Sequence, residues 1–457
     1  MCWNPVYALL MLTSTFITYL CGIFIYSIRN SKSGDTSRKN IEKTIVIAGL
    51  CINLLILFFF KYFNFFNESF QYVWNSLGMS WKMNNFDLIL PVGISFYTFH
   101  ALGYIIDVFR GDYKPEKNFI KYALFVSFFP LLVAGPIVRA SQLLPQFYEA
   151  HKFDIQRVWS GLLLILWGIF QKLMIADRLS ILVNTVYNDV NHYQGFQFVI
   201  ATVFFSFQIL CDFSAYTDIA KGASQIMGIN LIDNFNKPYF ATSIKEFWRR
   251  WHISLSTWFK DYLYFPLGGS RNGKIQTYRN IMVVFLVSGL WHGANLTFLI
   301  WGGLHGFYQV LAMISKKYTN IIIDKLQIIR QGFSLKIFNI LTTFILVNLA
   351  WIFFRANNFN DALFIYKNLF VTNFEVLFTE NLYKMGLDIF EFRISLLLIV
   401  LLIGVNFIQT KISIRQFIMN LWLPIQWAIC ILSILSILVY GIYGNNYDAS
   451  QFIYFQF

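Results

Sequence analysis

Phe247-Trp-Arg-Arg-Trp-His-Ile-Ser-Leu-Ser-Thr-Trp-Phe-Lys-Asp-Tyr-Leu-Tyr-Phe-Pro-Leu-Gly-Gly269 and, after a basic connector, Ser288-Gly-Leu-Trp-His-Gly-Ala-Asn295 decide the reading of this chain. Each stretch holds a Trp-His pair, ending at His252 and His292, 40 residues apart. Around them the sequence is almost wholly apolar. Polar groups kept inside an apolar protein are costly, and their default reading is functional.

Outward from these stretches the composition fixes the class. Of 457 residues 57% are hydrophobic and 13% charged, and the mean hydropathy is +0.54. Several apolar runs are long enough to cross a bilayer. The sequence predicts an all-α, polytopic integral membrane protein of about ten to twelve crossings, with re-entrant and amphipathic helices besides. The net charge of +13 lies in short loops between spans, as the positive-inside rule expects, and this argues against a nucleic-acid partner. Cys2, Cys21, Cys51, Cys211 and Cys430 are scattered without CxxC spacing, which argues against both a disulfide framework and a zinc site. No metal site is expected.

The first run, Pro5 to Ile28, reads as an uncleaved span, and the basic connector after it as cytoplasmic, which puts the N-terminus outside. Residues 1–85 form the N-terminal spans, 86–440 the core, and 441–457 an extracytoplasmic tail. In the core, Pro91 and Gly93 interrupt one helix. Pro130, Gly135 and Pro136 break another run, so that a re-entrant segment is as good a reading as a span. Phe196 to Met227 reads as a long helical region interrupted around Cys211 to Asp218, and Asp212 and Asp218, six apart, do not share a helix face. Lys237 to Arg279 carries eight basic residues against two acidic ones and should face the cytoplasm, with Ile244 to Leu263 as one tilted or amphipathic helix.

His292 is the foremost candidate base. A neutral imidazole there can take a proton from a hydroxyl and pass it on, and Gly293 leaves room for a substrate. The residues alone equally allow a core histidine bonded to a backbone carbonyl. His252 is a second base, an orienting partner or an interfacial histidine. Trp248, Arg249, Arg250 and Trp251 form either an interfacial aromatic-basic belt or a site for donor phosphates. His305, about 20 Å further along if the helix ran on without a break, reads as structural. No nucleotide-binding glycine loop, HExxH or GxSxG occurs.

From Pro91 to the C-terminus the chain resembles the membrane-bound O-acyltransferase family, in the branch typified by alginate and peptidoglycan O-acetyltransferases. The matching stretches are Pro91 to Phe99, Ala134 to Arg139, Cys211 to Ala220, Asn234-Phe-Asn-Lys-Pro-Tyr239, Phe247 to Gly269 and Leu290 to Ala294. The resemblance implies a ring of helices with opposing funnels that meet at a catalytic His292 assisted by His252. It implies a donor site with Trp248, Arg249, Arg250, Trp251, Lys260, Asp261, Trp291 and Asn295 about it. It also implies acetyl-CoA as donor substrate with no bound cofactor, a bacterial inner-membrane location, and a cell-envelope polysaccharide as acceptor, reached through an extracytoplasmic SGNH-type acetyltransferase. The tail Phe452-Ile-Tyr-Phe-Gln-Phe457 resembles a motif of this branch, which implies an acyl carrier at Tyr454; an interfacial aromatic anchor is the other reading. Transfer of D-alanine to teichoic acid, or donor transport without chemistry, are the alternatives.

Overall fold

The computed structural model describes residues 6–31, 35–79, 83–86, 90–327, 329 and 332–443. Tyr454 and the tail motif lie outside them. Among the described residues there is no strand, and eight helical stretches are long and apolar enough to cross a membrane. The chain divides into two compact units.

The first unit comprises residues 1–153 and 228–232. It contains α1 (Val6–Arg29), α2 (Asp35–Leu57), α3 (Phe63–Ser76), α4 (Ile94–Arg110), α5 (Phe119–Ser127), α6 (Phe129–Leu132) and α7 (Ala140–Leu143). One side chain ties three of them. Arg29 donates to Glu42 Oε2 (2.8 Å) on α2 and to the carbonyls of Val108 and Phe109 at the end of α4. Pro91 and Gly93 do not interrupt a helix, as expected, but precede one: α4 begins at Ile94, after Gly93, whose φ of 78° is left-handed and suits glycine. The run to Pro136 is broken as its prolines and glycine require: α5 ends at Ser127, and α6 is a single turn.

The second unit comprises residues 154–227 and 233–457. Its helices are α8 (Ile155–Phe170), α9 (Asp177–Tyr187), α10 (Phe196–Ile226), α11 (Ile244–Arg250), α12 (Ile253–Phe259), α13 (Lys274–His292), α14 (Leu296–Lys325), α15 (Phe333–Arg355), α16 (Phe359–Asn368), α17 (Ile389–Ile408), α18 (Ile414–Met419) and α19 (Leu423–Tyr440). A π-helical turn, Gln171–Ala176, joins α8 to α9. α8 and α10 approach through Gly161 and Gly222, where a Cβ on either would meet the other's carbonyl oxygen at 2.8 and 2.6 Å. Small residues at such crossings let apolar helices gain dispersion contacts that side-chain bulk would prevent.

α10 is continuous through Cys211 to Asp218, contrary to the interruption expected from its charges. The reason is pairing. Lys172, in the π-turn, lies 2.6 Å from Asp212 and 2.8 Å from Asp177, while Gln171 bonds both Ser214 (2.7 Å) and Asp218 (3.0 Å). The extra residue of the π-turn turns Gln171 and Lys172 together toward α10, so these carboxylates are held without unwinding the helix.

Candidate active site

Ile244 to Leu263 does not form the single helix expected from the sequence. It breaks between α11 and α12 at His252, whose backbone is left-handed (φ 43°, ψ 55°). A non-glycine residue pays about 1 kcal/mol or more for this conformation, and such strain gathers at functional sites. Asn234 holds the break. Its backbone carbonyl accepts from Ile253 N–H (2.9 Å), and the Arg250 carbonyl accepts from Asn236 N–H (2.8 Å). The Asn234 side-chain Oδ1 accepts from the N–H (3.2 Å) and hydroxyl (2.9 Å) of Ser254 and lies 3.1 Å from His252 Nδ1.

That arrangement fixes the tautomer. A backbone N–H can only donate, so the Asn234 atom facing Ser254 is the oxygen. An oxygen facing His252 requires the proton on Nδ1, which leaves the lone pair on Nε2. Burial pushes His252 down to about 3, so the ring is neutral near pH 7.

His292 closes α13 and is 3% exposed; His252 is fully buried. Their ring centroids are 6.5 Å apart. Gly293, in extended backbone, ends the helix, and three residues on the chain turns back into α14. An aromatic wall surrounds the pair: Phe213 lies 4.7 Å from His252, and Trp291 (4.9 Å), Trp301 (5.0 Å) and Phe354 (5.4 Å) pack on His292. Such a wall excludes water and strengthens any electrostatic interaction made inside it.

The hairpin also brings His305 back, because the helix does not run on past His292. Trp248 Nε1 donates to His305 Nδ1 (3.2 Å), and Trp301 stands between the two histidines, 5.2 Å from His305. Trp248 and Trp251 are buried, and Trp251 stacks on Phe247 at 5.5 Å. Trp291 is buried 6.1 Å from His252. Arg249 and Lys260 are exposed, the latter 5.5 Å over the Phe265 ring. Arg250 is paired with Glu246 at 2.6 Å, and Asp261 is half-buried. Burial alone would raise Glu246, but hydrogen bonds from Thr242 and Arg250 hold it below the usual carboxylate range. Asn295 caps α14, accepting from Thr297 N–H (3.1 Å). Asn234 is the residue that sequence reasoning missed. It lay inside the Asn234 to Tyr239 match, and a polar side chain beside Phe235 was its only signal.

Residues 114–354 match the family model described as MBOAT, membrane-bound O-acyltransferase family. The chain is 38% identical to the probable alginate O-acetylase of Pseudomonas aeruginosa over 80% of this chain and 67% of that protein. It is 35% identical to the peptidoglycan O-acetyltransferase of Helicobacter pylori over 80% of this chain and 71% of that protein. The teichoic acid D-alanyltransferase of Bacillus subtilis is 29% identical over 51% of this chain and 62% of that protein. The alignments thus span about two thirds of these relatives' lengths. The chain belongs to the membrane-bound O-acyltransferase family.

Proposed function

We propose that the protein transfers an acetyl group from acetyl-CoA, presented on the cytosolic side, toward O-acetylation of a cell-envelope polysaccharide. The observation that carries the chemistry is the tautomer of His252: a neutral imidazole with its proton on Nδ1, beside His292 in a dry aromatic enclosure. In the step proposed, His292 takes the proton of an attacking hydroxyl while His252 steadies the charge. The hydroxyl oxygen bonds to the thioester carbonyl carbon, the C–S bond breaks, and the proton returns to the departing thiolate as free CoA thiol. Tyr454 supplies the hydroxyl in this reading, and the ester passes to an SGNH-type partner outside. Exposed Arg249 and Lys260 attract the donor's phosphates. The acetylating relatives are the more similar ones, and this favours acetyl over D-alanyl transfer.

The test uses purified protein in nanodiscs with acetyl-labelled CoA. Covalent label in the wild type, lost in both His292→Ala and Tyr454→Phe, is the expected result. Label that persists in His292→Ala would overturn the base assignment, and label that persists only in Tyr454→Phe would make another hydroxyl the acceptor.

A further inference from the structure

Trp301 and His305 stand one turn apart on α14 and so share a face of it. Both are fully buried, and their rings lie 5.2 Å apart. Trp301 packs edge to face on His292 at 5.0 Å. Trp248 fixes the protonation of His305. An indole N–H only donates, so His305 Nδ1, 3.2 Å from Trp248 Nε1, is an acceptor without a proton. The ring is therefore neutral and carries its one N–H on Nε2. It stacks on Phe247 (6.1 Å) and Phe285 (6.3 Å), which hold it in this orientation.

Two N–H groups are left over. Among the described residues neither Trp301 Nε1 nor His305 Nε2 has an acceptor, although both atoms are closed off from solvent. A buried donor without an acceptor forfeits the hydrogen bond it would make to water, and native structures keep few such groups. Here one face of one helix keeps two, against the candidate base. In these tautomers both atoms only donate, and neither is charged. Such a pair matches a group that only accepts and has two lone pairs to offer, a carbonyl oxygen. That oxygen gains negative charge when a nucleophile adds to its carbon. Fixed N–H donors in a water-poor enclosure stabilise the charged oxygen more than the neutral carbonyl.

We propose that Trp301 Nε1–H and His305 Nε2–H are the donors that hold the thioester carbonyl oxygen during transfer, which makes both catalytic residues. The inference rests on the proposed acetyl transfer and supplies the part of it that the other two histidines leave open. As the hydroxyl oxygen bonds to the carbonyl carbon, the π electrons of the C=O bond move onto its oxygen, which the two N–H groups hold. When the C=O bond reforms, the thiolate leaves and takes the proton from His292; the two donors keep theirs throughout.

The test compares the binding of two acetyl-CoA analogues to the full chain in nanodiscs. S-ethyl-CoA has no carbonyl. S-trifluoroacetonyl-CoA is a ketone that adds water or a hydroxyl to form a tetrahedral adduct. The wild type is expected to bind the ketone about tenfold or more tighter than the thioether. Trp301→Phe keeps a ring on His292 but has no N–H. It should lose that preference, bind S-ethyl-CoA as the wild type does, and transfer label about 10²-fold more slowly. His305→Gln offers Trp248 an acceptor and keeps an N–H, so it should retain much of the preference that His305→Phe loses. An unchanged preference in Trp301→Phe and His305→Phe would overturn the proposal. So would a loss of S-ethyl-CoA binding in step with the ketone, which is the mark of packing alone. A wild type that transfers label but binds both analogues equally overturns the donor pair and leaves acetyl transfer standing. A wild type that binds neither and transfers nothing overturns both.

Discussion

Gly289→Ala tests whether the hairpin that carries His292 works by close approach. Gly289 lies three residues before His292, and a Cβ there would sit 3.1 Å from the Phe298 carbonyl carbon and 3.3 Å from Gly302 Cα, with the carbonyl oxygen nearer still. Carbon atoms in ordinary contact are about 3.5–4 Å apart, so α13 and α14 must part by roughly 1 Å. Overpacking of this kind costs about 1–3 kcal/mol, which the alanine's better helix propensity offsets by about 1 kcal/mol. The larger effect falls on the reaction. His292 is one turn from the crossing, so it moves with its helix, and a misplacement of about 1 Å costs on the order of 100-fold in rate. The assay is the initial rate of label transfer from acetyl-CoA, run beside a thermal unfolding curve. Gly303→Ala is the control, because its Cβ would meet only the tip of Leu286 at 3.5 Å. A Gly289→Ala protein as fast as the Gly303→Ala protein would refute the argument, and so would an equal loss in both.

Asn234→Ala frees the His252 tautomer, and the transfer rate should fall about 10²-fold or more while donor binding is kept; a wild-type rate would show that the Nδ1–H contact is idle. Lys172→Met leaves Asp177 and Asp212 buried without their cation and should cost about 3–5 kcal/mol in chemical unfolding, whereas pairing it with Asp177→Asn and Asp212→Asn should recover much of that. The folded His252 sits near 3 against an unfolded value of about 6.5, so the unfolded chain binds the proton first. Stability from this group is full above pH 6.5 and falls on acidification toward pH 3, by up to about 1.4 kcal/mol per pH unit. His252→Gln should flatten that part of the stability–pH curve.

The spans were legible because length and apolarity alone place a helix in a bilayer. The two tryptophan–histidine motifs were legible as the polar centre of an apolar chain. What the sequence withheld was long-range. The break at His252 depends on Asn234, 18 residues earlier, and no local propensity marks a left-handed histidine. The continuity of α10 depends on Lys172, 40 residues away from Asp212, and a lone aspartate in an apolar run otherwise reads as an interruption. His305 looked remote because axial distance along one helix was the only available measure. A turn at Gly293 converts that separation into the far wall of the same enclosure.

Trp248, Trp251, Trp291, Trp301 and Trp351, five of the chain's thirteen tryptophans, surround the histidines and one another, with Trp301 and Trp351 stacked at 5.7 Å. Indoles this close share excitation energy, and their emission depends on the polarity and charge around them. The candidate site is thus its own optical reporter. A ligand or a single proton that enters changes the light the protein emits.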